Sequence, residues 1–162
     1  MIERGAFAEL HCLSNYSFLR GASHPEELVY KASDLGYSAI AITDECSYSG
    51  LVKAHVAAKQ CGIKLIVGAE FFVDMTHGEE KNSVENIIML APTRQAYGQL
   101  SAFISKIRRK NQKGNSYLCY EDCQIGLSDC LILWSPELQD IDIQVSVGHK
   151  LKTIFQHFWI TL

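Results

Sequence analysis

AIAITDECSYSGLVKAHVAAKQCGIKLIVGAEF, residues Ala39 to Phe71, is the stretch that decides the fold. Ala39–Ile42 is a short apolar run that stops at Thr43-Asp44-Glu45. Leu51–Cys61 has helical spacing and is closed by Gly62. Lys64–Val67 is a second apolar run, and it stops at Gly68-Ala69-Glu70. The order predicts strand, acidic loop, helix and strand, with each strand delivering a carboxylate just past its carboxyl end. In α/β folds that rim is where ligands and catalytic groups collect.

The flanking residues carry the same rhythm. Ala8–Leu13 (AELHCL) predicts a first strand and Asn15–Gly21 a loop. Ser23-His24-Pro25-Glu26 predicts a helix start, with Ser23 as N-cap, Pro25 in the first turn and Glu26 completing a capping box. That helix runs to about Leu35, with Leu28, Val29, Ala32 and Leu35 on one face and Gly36 just past its end. Ser38–Ile42 is apolar almost throughout, which suits a strand buried on both faces of a parallel sheet. Leu51, Val52, His55, Val56 and Lys59 mark the second helix. Three strands with two intervening helices have the spacing of βαβ crossovers.

Downstream, Phe71–Val73 extends the third strand or begins another, and the polar Asp74–Ser83 reads as a loop or hairpin tip. Asn86–Leu90 predicts a further strand. Thr93 caps a long helix from Arg94 to about Lys110, with an apolar stripe at Tyr97, Leu100, Phe103, Ile104 and Ile107. Asn111–Ser116 is a polar linker, Tyr120–Cys123 a helical turn, and Cys130–Trp134 a fifth strand ended by Pro136. Gln144–Leu162 does not continue the βα rhythm clearly. The domain expectation is therefore a main body over 1–140 and an atypical C-terminal tail over 141–162.

Size and composition narrow the class. A chain of 162 residues is long enough to bury a core. Its 48% hydrophobic and 20% charged content is that of an ordinary globular chain. A net charge of −3 excludes nucleic-acid binding by global basic excess, so any such contact must be a local patch. No apolar run approaches the roughly 20 residues of a membrane-spanning helix, and the first residues lack a signal-peptide core. A soluble, cytoplasmic protein with no membrane partner is expected. The cysteines Cys12, Cys46, Cys61, Cys119, Cys123 and Cys130 form no C-x-x-C pair and read as reduced thiols.

Two constellations could carry chemistry. His11, Asp44 and Glu70 stand at the ends of three strands, and imidazole with carboxylate oxygens suits Zn²⁺, Mn²⁺ or Fe²⁺. The plainer alternative makes Asp44 a loop cap, Glu70 a rim residue and His11 a satisfied core residue. The second constellation is Lys106, Arg108, Arg109, Lys110 and Lys113, the one basic cluster. It suits a phosphate backbone, and equally the negative end of a helix dipole. Neither a phosphate-binding G-x-x-x-x-G-K-[ST], nor G-x-S-x-G, nor H-E-x-x-H is present.

Ala8–Gly21 (AELHCLSNYSFLRG), Ala41–Ser47 (AITDECS) and Val67–Phe71 (VGAEF) resemble the opening motifs of a PHP domain (polymerase and histidinol phosphatase). Together with AYGQLSAFISKIRRKNQKGNSY they resemble the N-terminal PHP domain of bacterial error-prone DNA polymerases. Those are C-family enzymes similar to the DNA polymerase III alpha subunit. The resemblance covers roughly Ala8 to Trp134. It implies an α/β fold, a partial PHP-type (β/α) barrel of mostly parallel strands alternating with helices. Metal-binding PHP domains open with H-x-H, which here reads His11-Cys12-Leu13. They carry Thr-Asp-His after the second strand, which here reads Thr43-Asp44-Glu45. The glutamate after the third strand is present as Glu70. The implied site is a degenerate one, His11, Asp44, Glu45 and Glu70, short of two imidazoles. Leucine offers a metal no lone pair, so the expectation is no cofactor, with Zn, Mn or Mg as the candidates were one held.

The resemblance further implies a DNA-directed DNA polymerase, a nucleotidyltransferase of DNA replication and of the repair of DNA damage. Its chemistry belongs to a palm domain that no segment here resembles, so this chain by itself is expected not to polymerise DNA. The implied partners are the remainder of an alpha-type polymerase subunit and DNA, with self-association expected when the chain is expressed alone. A truncated gene product is the matching expectation for the ending. The alternatives are a stand-alone metal-dependent PHP phosphoesterase and a non-catalytic binding module.

Overall fold

The computed structural model describes residues 7–75, 84–112, 114–124, 126–136 and 141–161. They form an α/β structure in two compact units, Met1–Ala69 and Glu70–Leu162.

In the first unit, strands β1 (Ala8–Glu9), β2 (Ala39–Ile42) and β3 (Lys64–Asp74) pair in parallel, with helices α1 (Pro25–Asp34) and α2 (Leu51–Cys61) between them in sequence. The register sets Ala8 beside Ala39 and Ala41 beside Ile66. Ile40 and Ile42 are buried with Val29 and Ala32 of α1 and Ala54, Ala57 and Ala58 of α2. All four β2 side chains are buried, as its uninterrupted apolar run predicts. β1 is shorter than Ala8–Leu13, because the chain leaves the sheet after Glu9. The start of α1 falls one residue later than expected. His24 is the N-cap, Pro25 opens the first turn, and Glu27 rather than Glu26 accepts the N-cap amide at 2.8 Å. α2 has the expected bounds and the opposite face. Its alanines are buried, while Val52 and Val56 are exposed. Small side chains let the helix lie close to its neighbours, and that outweighs the larger apolar gain of burying valine. Gly62 takes the left-handed C-cap conformation at φ 75°.

The second unit holds the end of β3, then β4 (Val84–Ala91), α3 (Arg94–Lys110), β5 (Leu118–Cys119), a 3-10 turn (Tyr120–Gln124), β6 (Leu131–Ser135), α4 (Ile141–Ile154) and β7 (Phe158–Ile160). β3 neighbours β4 and pairs in parallel with β5, β4 is antiparallel to β6, and β6 is parallel to β7. Most of the described strand pairs are thus parallel. The Thr93 hydroxyl accepts the Ala96 amide at 3.1 Å and caps α3 as expected. α3 buries Ala96, Leu100, Phe103 and Ile107, and leaves Tyr97 outward. Phe103 meets Phe71 edge-on at 5.3 Å. Residues 141–161, read as an atypical tail without βα rhythm, fold as α4 and β7. With β6 they make a strand–helix–strand unit whose strands are parallel. The apolar strand is only three residues long, too short for a period to show. Most of the predicted loop Asp74–Ser83 lies outside the described residues.

Candidate functional site

The loop after β1 and the loop after β2 are stitched together. The Thr43 amide donates to the Cys12 carbonyl at 2.9 Å, and the Cys12 amide to the Thr43 hydroxyl at 3.1 Å. That stitching carries Ser14 and Ser17 to Asp44. The carboxylate is 1% exposed. Its Oδ1 accepts the Ser14 amide at 2.8 Å and the Ser17 hydroxyl at 2.8 Å, and its Oδ2 accepts the Ser14 hydroxyl at 2.7 Å. The Ser17 oxygen in turn accepts the Glu45 amide at 3.0 Å. A Cβ on Gly50 would stand 2.9 Å from Asp44 Oδ2 and 2.7 Å from Pro25 Cγ, so only glycine lets the chain pass this close to that oxygen.

The two other expected carboxylates have partners of their own. The Glu45 carboxylate accepts from Arg20 Nη1 at 3.3 Å, at the half-exposed surface. The His11 amide donates to Glu9 Oε1 at 3.0 Å. Glu70 is fully buried, and its Oε2 accepts from Asn86 Nδ2 at 3.1 Å. It does not follow the end of its strand, as the sequence reading had it, because β3 continues to Asp74. Glu70 also belongs to the second compact unit, whereas His11, Asp44 and Glu45 belong to the first.

A metal would need open lone pairs at about 2.0–2.2 Å from carboxylate oxygens. Both Asp44 oxygens face hydrogen-bond donors instead, and an amide N–H of Asn86 faces Glu70. Among the described residues, no group of three or more His, Cys, Asp and Glu side chains is arranged to hold a metal ion.

The basic cluster sits at the end of α3. Lys110 Nζ lies 2.5 Å from Asp122 Oδ2, and Lys106 Nζ lies 3.6 Å from Oδ1. The Cys119 thiol and amide also point at Asp122 Oδ2, at 3.1 and 3.2 Å. Burial pushes the Asp122 carboxyl up. The hydrogen bonds from Lys110 and Cys119 push it down further, to about 2. Arg109 is exposed, and Lys113 lies outside the described residues. Burial raises the Cys123 thiol to about 12 and the Cys12 and Cys130 thiols to about 11, so they are poor nucleophiles near neutral pH. All six cysteines are free.

Sequence reasoning missed Ser14 and Ser17 as partners of Asp44, Asn86 as partner of Glu70, and Asp122 as the acid that engages the lysines. The Ser-x-x-Ser spacing in a predicted turn, with both hydroxyls able to face one acceptor, was the available signal for the first.

The family model of the PHP domain matches residues 9–141, and the chain belongs to that family. Its fold is a partial PHP-type (β/α) barrel. The error-prone DNA polymerase of Idiomarina loihiensis is 47% identical over 155 residues, which are 95% of this chain and 14% of that protein. That of Saccharophagus degradans is 46% identical over 154 residues, with the same coverage. The chain corresponds to the PHP part of these polymerases and spans about 14% of their length. Two solved structures share the fold. An amidohydrolase from Chromobacterium violaceum, with bound sulfate and no metal, superposes with a TM-score of 0.69 at 16% identity over 94% of this chain and 76% of that one. A putative metal-dependent phosphoesterase from Bifidobacterium adolescentis does so with a TM-score of 0.64 at 12% identity over 95% and 77%.

Proposed function

We propose that this chain works as the non-catalytic PHP portion of an error-prone DNA polymerase, in cytoplasmic DNA replication and repair of damaged DNA. The observation that carries the reading is the 47% identity to such a polymerase over 95% of the chain. The site supports a structural rather than hydrolytic part. The carboxylate that a metal would need is committed to two serines, and Leu13 and Glu45 stand where the family has imidazoles. In this reading the degenerate site holds no Zn, Mn or Mg. No helix among the described residues is long and apolar enough to cross a membrane.

In this reading the partners are the remainder of a polymerase chain and DNA. Contact with the phosphate backbone falls to the end of α3, at Lys106, Arg108, Arg109, Lys110 and Lys113. Arg109→Glu then weakens duplex binding by the assembled polymerase and flattens its salt dependence. Alone, the chain self-associates, which sedimentation velocity would register.

The test is a chimera of the Idiomarina loihiensis polymerase in which this chain replaces the aligned residues. The chimera should extend a primer, including across a damaged template, while the 162-residue chain alone extends none. Metal-dependent turnover of a phosphate ester by the chain alone would instead support the phosphoesterase alternative.

A further inference from the structure

In the first unit, the turn over residues 14–21 is held from several sides. Within it, the Ser17 amide donates to the Ser14 carbonyl at 3.0 Å, and the Arg20 and Gly21 amides to the Ser17 carbonyl at 3.0 and 2.9 Å. At its base the Asn15 amide donates to the Ser23 carbonyl at 2.8 Å, while both serine hydroxyls are fastened to Asp44. Where the chain leaves the turn, a Cβ on Gly21 would stand 1.9 Å from the Ser14 carbonyl oxygen, so only glycine passes.

This firm base presents apolar side chains to water. Phe18 is 83% and Leu19 89% exposed, and Tyr16 beside them is exposed as well. Leu19 is also in the left-handed region, at φ 61°, which strains a residue with a Cβ. A turn whose only task is to reverse the chain places Gly, Asn or Asp there. Single exposed apolar residues are ordinary. Two large neighbours at the tip of a pinned, strained turn contribute little to the core, and have the form of preorganised interface anchors.

We infer that the Tyr16–Leu19 turn is a docking knob that inserts into an apolar pocket on the part of the polymerase chain lying outside this domain. The inference rests on the polymerase reading above. The relatives devote only 14% of their length to the matched region, so the facing surface available to this domain is mostly supplied by the rest of that chain. Charge points the same way. Arg20 at the foot of the knob is paired with Glu45 at 3.3 Å, so the tip offers no unpaired cation to a phosphate backbone or an anionic membrane.

The test uses the chimera described above, with photoreactive p-benzoylphenylalanine in place of Phe18. After irradiation, a cross-link to a peptide outside the grafted segment is expected. Cross-links only between copies of the chain, or none beyond the graft, would overturn the docking. The double variant F18S/L19S is expected to lower the chimera's unfolding midpoint by several degrees and leave that of the 162-residue chain unchanged. Equal shifts in both would mean that the turn serves this domain's own packing, and would also overturn the proposal. Primer extension by the chimera without these changes reads the polymerase assignment separately. Its failure would count against that assignment, while the cross-link still decides the knob.

Discussion

Asp44 accepts three hydrogen bonds out of reach of water, and all three come from a segment 27–30 residues earlier in the chain. Hydrogen bonds to a carboxylate are the strong ones, each worth about 1.5–3 kcal/mol, and a buried donor left without its acceptor costs a similar amount. Asp44→Ala should therefore destabilise the chain by about 3 kcal/mol or more, and Ser17→Ala by about 1–2 kcal/mol. Urea titration with an unchanged slope would check both. The acid itself was legible from its place after an apolar run. Its partners were not, because only the turn brings two serine hydroxyls to face it. Glu45 was likewise legible as a replaced imidazole, while its tie to Arg20 belongs to the folded chain.

At the scale of elements, helix bounds were read well and helix faces less well. α3 begins and ends where its cap and polar linker predict. α2 also has the predicted bounds, but sequence pattern chose its valines, and packing chose its alanines. Val52→Lys and Val56→Lys should each change stability by no more than about 0.5 kcal/mol. Ala57→Leu should cost about 1–3 kcal/mol by overpacking against α1 and β2. Thermal unfolding of the three variants separates the two faces. The end of α3 is tied to the 3-10 turn by Asp122, whose folded value of about 2 lies below the ordinary 3.8. A depressed carboxyl contributes its stability in full above the ordinary value and loses it as pH falls from 3.8 toward about 2. Asp122→Asn should remove that acid-limb dependence, and unfolding midpoints measured across that range would show it. Hydrogen bonding to Asp122 raises Lys110, so its share is present below the ordinary 10.5 and fades as pH rises past the raised value.

For the whole molecule, the degenerate ligand set leads to a simple expectation. Adding Zn²⁺ or Mn²⁺ at a small molar excess, or removing metal with a chelator, should leave the unfolding midpoint of the chain unchanged. A resident metal would raise it by mass action. A stoichiometric, Asp44-dependent rise in midpoint would contradict the metal-free reading. The sequence by itself determined the α/β class, the alternation of strands and helices over its first seventy residues, the PHP family and the missing imidazoles. The class and the alternation follow from local apolar period and caps, whereas the family and the missing imidazoles follow from the resemblance of its motifs to those of PHP domains. Only the tertiary structure decided that β3 continues beyond Glu70, and that residues 141–161 add a helix and a parallel strand. It alone decided that Asp44 is closed by serines, and that Phe18 and Leu19 stand in water on a fixed turn. Those outcomes depend on groups distant in sequence and on the fit of side chains in a packed interior, and a local pattern carries neither.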